Sequence, residues 1–551
     1  MKSSEDVIIR PAEEPDIADV KSLFVAAYGE DYPFTQFYDT AWLKKALFDD
    51  NTLFMVAGMG GRIVGTVSAI YTAGNLSDLI GEFGRLVVHP DARGHNVASK
   101  LFDSALDKAS QVILFGFAEA RTVHSASQRI LERQGFAPIG FEPMKYRLHD
   151  RESVVLYGKN FGSSMELRRN NPRLIPEVAP LAMLALENMG LAQDIVVVDD
   201  EDGYPQDEHF GDAQTGAITV EDLSERGWSP LLRIERGRIR GREVFGNLSL
   251  SHGFFKIESE STRYLVARQA NSIVGGLGFT HDPIDHKIRI FELIGVTDTV
   301  KRHLLDRVDR IAREDLNAVY LEADVSAYST AIQRTLEQMG FMAVAYCPSM
   351  VFEDVERLDV IRMAKLTAPY FTEDIPLTGS ALRVRSLVER SMDDRRTGTV
   401  TAEAVRDISL FHGLDEGDMY HLARLGRIRS ITSGGALSRQ GDSGDRLFVV
   451  ASGSFRVLIG GIEVGVIGPG ETAGEMAILD SERRSADVVA LEDSDVVEIM
   501  RADLLRLMDK RPRLGAVVLR NLGIDMSRKL RRLDVRFADE EKPEANSTDR
   551  T

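Results

Sequence analysis

The 551 residues are 43% hydrophobic and 28% charged, the balance of an ordinary globular chain long enough for about three or four domains. A net charge of −18 argues against a sequence-independent grip on nucleic acid, and the single cysteine, Cys347, excludes an intramolecular disulfide framework. No apolar run is long enough to span a membrane and the first residues hold no signal-like stretch, so neither nucleic acid nor membrane is an expected partner, and the cytoplasm is the expected compartment.

Val7–Arg10 reads as a first strand, Asp16–Tyr28 as an amphipathic helix entered from Pro15, and Ala41–Phe48 as a second helix. Leu53–Ala57 and Arg62–Ile70 flank Gly58-Met59-Gly60-Gly61 as a hairpin. Ile80–Val88 is the next strand, and Asp91–Ala98 then opens a helix over Ser99–Ser110. Val112–Phe117 reads as a strand, Ala126–Gln134 as a helix stopped by Gly135, and Phe136–Phe141 as a closing strand.

This order, with Val88-His89-Pro90-Asp91-Ala92-Arg93-Gly94-His95-Asn96-Val97-Ala98 between strand and helix, resembles the GNAT family of acyl-CoA-dependent N-acyltransferases over about Val7–Leu148. The resemblance implies a GNAT acetyltransferase domain at 1–150. Its cofactor site would be Val88, Arg93, Gly94, His95, Asn96, Val97 and Ala98, whose backbone amides hold the pyrophosphate of acetyl-CoA at a helix start. Asn96 stands where the family has glycine, and asparagine tolerates positive φ better than other side chains. Transfer to an amine needs a base for the acceptor's proton and a donor, commonly a central-strand N–H, for the thioester oxygen. Glu82 resembles the general-base glutamate of the lysine-acetyltransferase branch; a strand-end carboxylate in solvent is the other reading. Many GNATs place a tyrosine acid where this chain has Leu131, and His89 and His124 read as ordinary loop histidines.

Residues 151–230 read as a connector, with a basic, proline-broken stretch at Leu167–Arg173 and a helix over Leu181–Asn188. The acidic run Asp199–Asp202 reads as a solvated loop, and no metal is expected. A second GNAT-like domain follows at 231–356. Val266-Ala267, five residues, Ile273-Val274-Gly275 mirrors Val56-Ala57, five residues, Ile63-Val64-Gly65, and Gln333-Arg334…Gly340-Phe341 mirrors Gln128-Arg129…Gly135-Phe136. Its loop, Val296–Arg302, contains no glycine, so this copy reads as degenerate, with a structural or acceptor-shaping role. Leu358–Ala368 and Ser380–Arg395 read as connecting helices of a linker over 357–401, their charges a solvated face.

Farther on, the turns at Gly468–Gly470 and Gly474 lead into a short apolar helix, Glu475–Leu479, and Arg484-Ser485-Ala486 runs into the β-type Asp487-Val488-Val489. A helix start beside a turn favours an anion, and the Arg484 fork suits phosphate oxygens. Glu475, being acidic, suits a donor such as a ribose hydroxyl. Together they describe a pocket for a nucleotide with one negative phosphate. The segments Gly474-Glu475-Met476-Ala477-Ile478 and Arg484-Ser485-Ala486, with Arg439-Gln440-Gly441-Asp442 and Leu447-Phe448-Val449-Val450 upstream, resemble the phosphate-binding cassette of cyclic-nucleotide-binding domains over about Ile408–Leu533. The resemblance implies such a domain at 402–536, with cAMP as regulatory ligand, Ser485 assisting at the phosphate, and Leu514–Leu533 closing over the base. The tail 537–551 is acidic and expected to be disordered.

The expected fold is therefore α+β multidomain: two GNAT-like mixed α/β domains followed by a cyclic-nucleotide-binding β-roll (jelly roll) with flanking helices. The combination resembles bacterial acetyltransferases in which a cyclic-nucleotide module controls a GNAT, with acetyl-CoA as cosubstrate and an amine, a protein lysine, as acceptor. The rival reading is a non-enzymatic nucleotide-responsive protein with GNAT scaffolds. Too few residues follow Leu533 for a DNA-reading helix-turn-helix.

Overall fold

The computed structural model describes residues 6–29, 35–71, 76–147, 151–199, 202–205, 218–222, 241–246, 261–269, 272–368, 370, 375–405, 409–414, 416–476 and 483–540. The chain forms two compact units, Met1–Ser391 and Met392–Thr551.

The first unit opens with β1 (Ile8–Pro11), α1 (Ile17–Tyr28), α2 (Thr40–Leu47), the hairpin β2 (Thr52–Met59) and β3 (Arg62–Ile70), and β4 (Ile80–Val88). It continues with α3 (Val97–Ala109), β5 (Phe115–Arg121), α4 (Ala126–Arg133), β6 (Ala137–Arg147) and β7 (Arg151–Asn160). The short strands β8 (Arg173–Leu174) and β9 (Val196–Val197) pair with each other around α5 (Ala179–Asn188). Next come β10 (Ile218–Asp222), β11 (Val244–Phe245), β12 (Thr262–Gln269), β13 (Ser272–Asp282), β14 (Lys287–Gly295) and α6 (Asp298–Glu314). The unit is completed by β15 (Tyr320–Ser326), α7 (Thr330–Gln338), β16 (Met342–Glu353) and β17 (Glu356–Leu366).

The strand order is β1-β2-β3-β4-β5-β7-β6-β16-β17-β15-β14-β13-β12-β10. Read outward from the β6–β16 join, each half carries the same sequence of neighbours, with one parallel pair (β4–β5, β14–β15) among antiparallel ones. One side of the first half is closed by α1 and α2, whose Val20, Leu23, Phe24 and Leu43 pack on Phe54, Val56 and Val87. The two halves share one sheet instead of standing as separate domains. The boundary expected at residue 150 falls in a hairpin, because β7 pairs with both β5 and β6.

Two expectations need correction. Leu358–Ala368 is not a helix: β17 occupies Glu356–Leu366, between β16 and β15. Its β-branched and apolar residues are buried, and its charges are paired instead of solvated, Asp359 with Arg168 at 2.6 Å and Arg362 with Asp324 at 2.7 Å. The tail expected to be disordered from Phe537 is helical as far as Glu540. The fifth strand also begins three residues late, at Phe115, because Val112 to Leu114 turn out of α3.

A long helix, α8 (Gly379–Val405), contains the division between the units. The second unit has α9 (Glu416–Ala423), β18 (Gly426–Ile431), β19 (Ala436–Ser438), β20 (Arg446–Ser452), β21 (Phe455–Ile459) and β22 (Ile462–Ile467). Then come β23 (Thr472–Ala473), β24 (Asp487–Ala490), β25 (Ser494–Met500), α10 (Arg501–Lys510) and α11 (Pro512–Glu540). Two four-stranded sheets, β18-β25-β20-β23 and β19-β24-β21-β22, enclose Phe448, Val450, Phe455, Val488 and Val496. The alternate residues Leu447, Val449, Val497 and Ile499 face the helices, against Leu504, Leu514, Val518 and Leu522.

Candidate active site and nucleotide pocket

In the first unit the site begins as a defect in the sheet. Thr66 pairs with Val87 but Ser68 with Gly84, so one residue of β3 faces two of β4, and the bulged Arg85 takes φ +55°. On its other edge β4 pairs with β5 only over Ile80–Phe83 and Phe115–Ala118. Beyond those residues the strands splay, leaving the β5-facing backbone of β4 without a strand partner. The opening is a cleft of 1180 Å³ lined by Glu82 and Arg85–Val88, by Glu119 and Arg121, by the loop before α3, and by Tyr28, Ser127 and Tyr146.

That loop is shaped as the sequence led one to expect. Gly94 and Asn96 take φ +87° and +58°, and Asn96, as N-cap of α3, makes no side-chain capping bond. The first amides of α3 therefore lack both an intrahelical acceptor and an Asn96 cap, and they open into the cleft with Arg93 and Gly94 beside them. A pyrophosphate fits this donor set. His95 Nδ1 stays 3.4 Å from Ala92 O, within the loop itself. His89 Nδ1 accepts from the Asp91 amide at 3.3 Å, which occupies it locally, and His124 stands at the rim.

Glu82 lines the cleft, its side chain 36% exposed, and accepts from Arg85 Nη2 at 2.7 Å. Leu131 is buried, so no polar group replaces the family's tyrosine at that position. Sequence reasoning did not single out Arg85, Glu119 or Tyr146. Glu119 was visible only as the lone charge in an otherwise apolar Phe115–Ala120.

The second copy closes the same features. β14 and β15 pair over Lys287–Ile290 and Tyr320–Ala323 and would splay beyond, but β11 pairs with β15 there and packs against β14. The start of α6 is capped by its own Thr297, whose hydroxyl accepts from the Val300 amide at 3.3 Å. Lys301 pairs with Asp298 at 3.0 Å and with Glu243. Where the first copy offers free amides and space, the second is filled by its own chain.

In the second unit Gly474 has φ +85°, and a Cβ there would stand 1.8 Å from Arg484 Nη1 and 2.8 Å from Arg446 O. Only glycine fits. Arg484 lies over the Phe448 ring at 5.3 Å and donates to Arg446 O at 2.6 Å. Its backbone is pinned to the Arg439–Asp442 turn, Arg484 N to Asp442 O at 2.9 Å and Gly441 N to Arg484 O at 2.8 Å. Burial pulls its pKa down from the usual arginine value. Glu475 and Arg484 are both buried, Ala486 is buried, and Met476 and Ser485 are exposed. Ala477 and the rest of the expected helix to Leu479 lie outside the described residues. Among the described residues no cluster of acids, histidines and cysteines could hold a metal ion.

A splayed central strand with an open helix start defines an acetyltransferase fold, and a β-roll closing on a buried arginine and glutamate defines a cyclic-nucleotide sensor. The chain carries both: the acetyltransferase (GNAT) family model matches residues 17–136, and the cyclic nucleotide-binding domain model matches residues 428–511. It is similar to the cyclic AMP receptor protein of Thermus thermophilus, 37% identical over 131 residues, which is 23% of this chain and 59% of that protein. A cyclic nucleotide-gated potassium channel of Mesorhizobium japonicum is 31% identical over 21% of this chain and 32% of its own. The crystal structure of the Thermus thermophilus catabolite activator protein matches at 36% identity with a TM-score of 0.21, over 24% of this chain and 62% of that one. The chain thus spans less than two thirds of the length of these relatives. Among the described residues no helix is long and apolar enough to cross a membrane.

Proposed function

We propose that the protein is an acetyl-CoA-dependent N-acetyltransferase of the cytoplasm whose rate is set by a cyclic nucleotide, cAMP, and whose acceptor is a protein lysine. The observation that carries this reading is the contrast between the copies: one keeps an open anion-binding helix start beside a splayed strand, while the other is closed by β11 and Lys301. Residues 1–160 are then the working GNAT domain and 218–366 a degenerate copy.

When bound, acetyl-CoA supplies the thioester carbonyl. The amides of Arg93–Ala98 hold the pyrophosphate, and the unpaired edge of β4 beyond Phe83 offers N–H groups to the cofactor arm and to the carbonyl oxygen. Glu82 takes the proton of the attacking amine, with Arg85 fixing its carboxylate. In the sensor, Arg484 pairs with the cyclic phosphate and Glu475 with the ribose hydroxyl. The name of the Thermus relative favours cAMP, and the net charge of −18 speaks against nucleic acid as a partner.

The buried Leu131, in place of an acid for the leaving thiolate, favours the second reading, a nucleotide-responsive scaffold without turnover. Incubation of the full chain with acetyl-CoA and a lysine peptide, with and without cAMP, separates them. Thioester loss matched by acetyl-lysine, in amounts that change with cAMP, is the expected result, and no turnover in either condition leaves the scaffold.

A further inference from the structure

Glu119 has no role in the scheme above, yet it is the first residue of β5 beyond the last one paired with β4, and it lines the cleft where the strands part. Behind it lies buried charge drawn from both halves of the sheet. Lys145 Nζ reaches Glu119 at 2.7 Å, Glu142 at 3.0 Å and Glu322 at 3.3 Å. Arg362 reaches Asp324 at 2.7 Å, Glu142 at 3.0 Å and Glu119 at 3.6 Å. Arg289 reaches Asp324 at 2.7 Å, and the Tyr146 hydroxyl donates to the second oxygen of Glu119.

Four carboxylates, Glu119, Glu142, Glu322 and Asp324, thus share three cations, Lys145, Arg289 and Arg362. Glu142 is wholly buried, and burial raises its pKa, so its protonation leaves three charges of each sign. Burial also pushes Glu119 up, but Lys145 and Arg362 pull it down to about 2. Of the four carboxylates only Glu119 lines the cleft, its side chain 18% exposed against 0, 2 and 4% for Glu142, Glu322 and Asp324. Its two oxygens offer roughly four acceptor positions, more than Lys145 and Tyr146 use.

We infer that Glu119 seats the ammonium group of the acceptor, and that the degenerate second copy exists in part to hold that carboxylate ionised and oriented, through Lys145 and Arg362. This rests on the transferase reading. A cation entering a partly dry cleft needs an anion to replace its water, and Glu119 is fixed in place before the acceptor arrives. The roles then divide by chemistry. Glu119 binds the ammonium form and is too strong an acid to keep its proton. The proton passes to Glu82 on the neighbouring strand, the nitrogen lone pair attacks the thioester carbon, and the C–S bond breaks with its electron pair on sulfur. Glu119 is a binding group, and its loss moves KM more than kcat.

The test is binding without turnover. The full chain, with CoA present, is titrated with Nα-acetyl-lysine amide and with its uncharged isostere, Nα-acetyl-norleucine amide. Wild type should prefer the lysine probe by about tenfold, the worth of a hydrogen bond to a charged group. Glu119→Gln should lose that preference, and Glu82→Gln should keep it. Should Glu119→Gln fail to fold, as judged by its melting transition, Tyr146→Phe should still weaken the preference by frustrating the orientation of Glu119. Equal binding of the two probes by wild type, or a full preference in Glu119→Gln or in Tyr146→Phe, overturns the inference. A preserved lysine preference in a protein that never turns over acetyl-CoA would instead sink the transferase reading and leave the ammonium seat standing.

Discussion

The Thr472 hydroxyl donates to the Asp525 carboxylate at 3.2 Å, joining α11 to the strand that ends one residue before Gly474. Both residues are buried, and Asn521, one turn earlier on α11, donates to Leu410 O and His412 O, each at 2.9 Å. The last helix is thus tied to the roll at two levels, one of them next to the residues that would meet a nucleotide. Thr472→Val removes a donor from a buried carboxylate and should loosen α11 by about 1–3 kcal/mol. Faster amide exchange over Pro512–Asp525, with the roll unchanged, is the expected readout; unchanged exchange would show that the bond carries little.

In the pocket itself, Arg484→Ala removes the phosphate partner and should weaken cAMP binding by about 2–5 kcal/mol, read by calorimetry. Gly474→Ala should do comparable harm without touching a charge, because its methyl must displace Arg484. Wild-type protein giving no heat with millimolar cAMP or cGMP would remove the sensor role.

At the cofactor loop, Gly94→Glu puts bulk, negative charge and an unfavourable positive φ into the anion site and should abolish acetyl-CoA binding. Asn96→Gly relieves the left-handed residue and should preserve or improve it. Unchanged affinity in Gly94→Glu would place the cofactor elsewhere.

Acid should act locally on the first helix. The hydrogen bonds from Arg10, at 2.6 and 2.7 Å, hold the Asp16 carboxyl below its usual value of 3.8. A lowered folded-state pKa contributes stability that is present above the unfolded value and lost as pH falls through the folded one. Arg10 is partly exposed, so the amount is under about 1 kcal/mol. Asp16→Asn should be less stable than wild type at pH near 6, with the gap closing as pH falls below about 3. A gap independent of pH would mean that Asp16 acts by packing.

Regulation makes the broadest claim. cAMP should raise acetyl transfer by relieving inhibition, with a coupling of about 1–3 kcal/mol, since a ligand shifts only an equilibrium whose states it binds unequally. Deleting Ile408–Thr551 should leave a nucleotide-insensitive, constitutively active transferase. A truncation that binds acetyl-CoA but is inactive would indicate support by the sensor in place of inhibition.

What was legible in the sequence alone is what short contiguous backbone encodes. Gly94 and Asn96 announce left-handed residues before a helix start, Gly474 and Arg484 a tight turn around a guanidinium, and the spacing of Val56 to Gly65 against Val266 to Gly275 a repeated hairpin. Each depends on φ preferences and periodicity within about ten residues. The tertiary structure decided the rest. Asp359 and Arg362 look like a solvated helical face until Arg168 and Asp324, far away in sequence, are brought against them in a buried strand. The closing of the second copy by β11 depends on which segment fills a gap, and no local propensity specifies that. Glu119 becomes a buried anion at the floor of a cleft only when Lys145 and Arg362 converge on it from two halves of one sheet, because the energy of a buried charge lies in its partners and not in its neighbours along the chain.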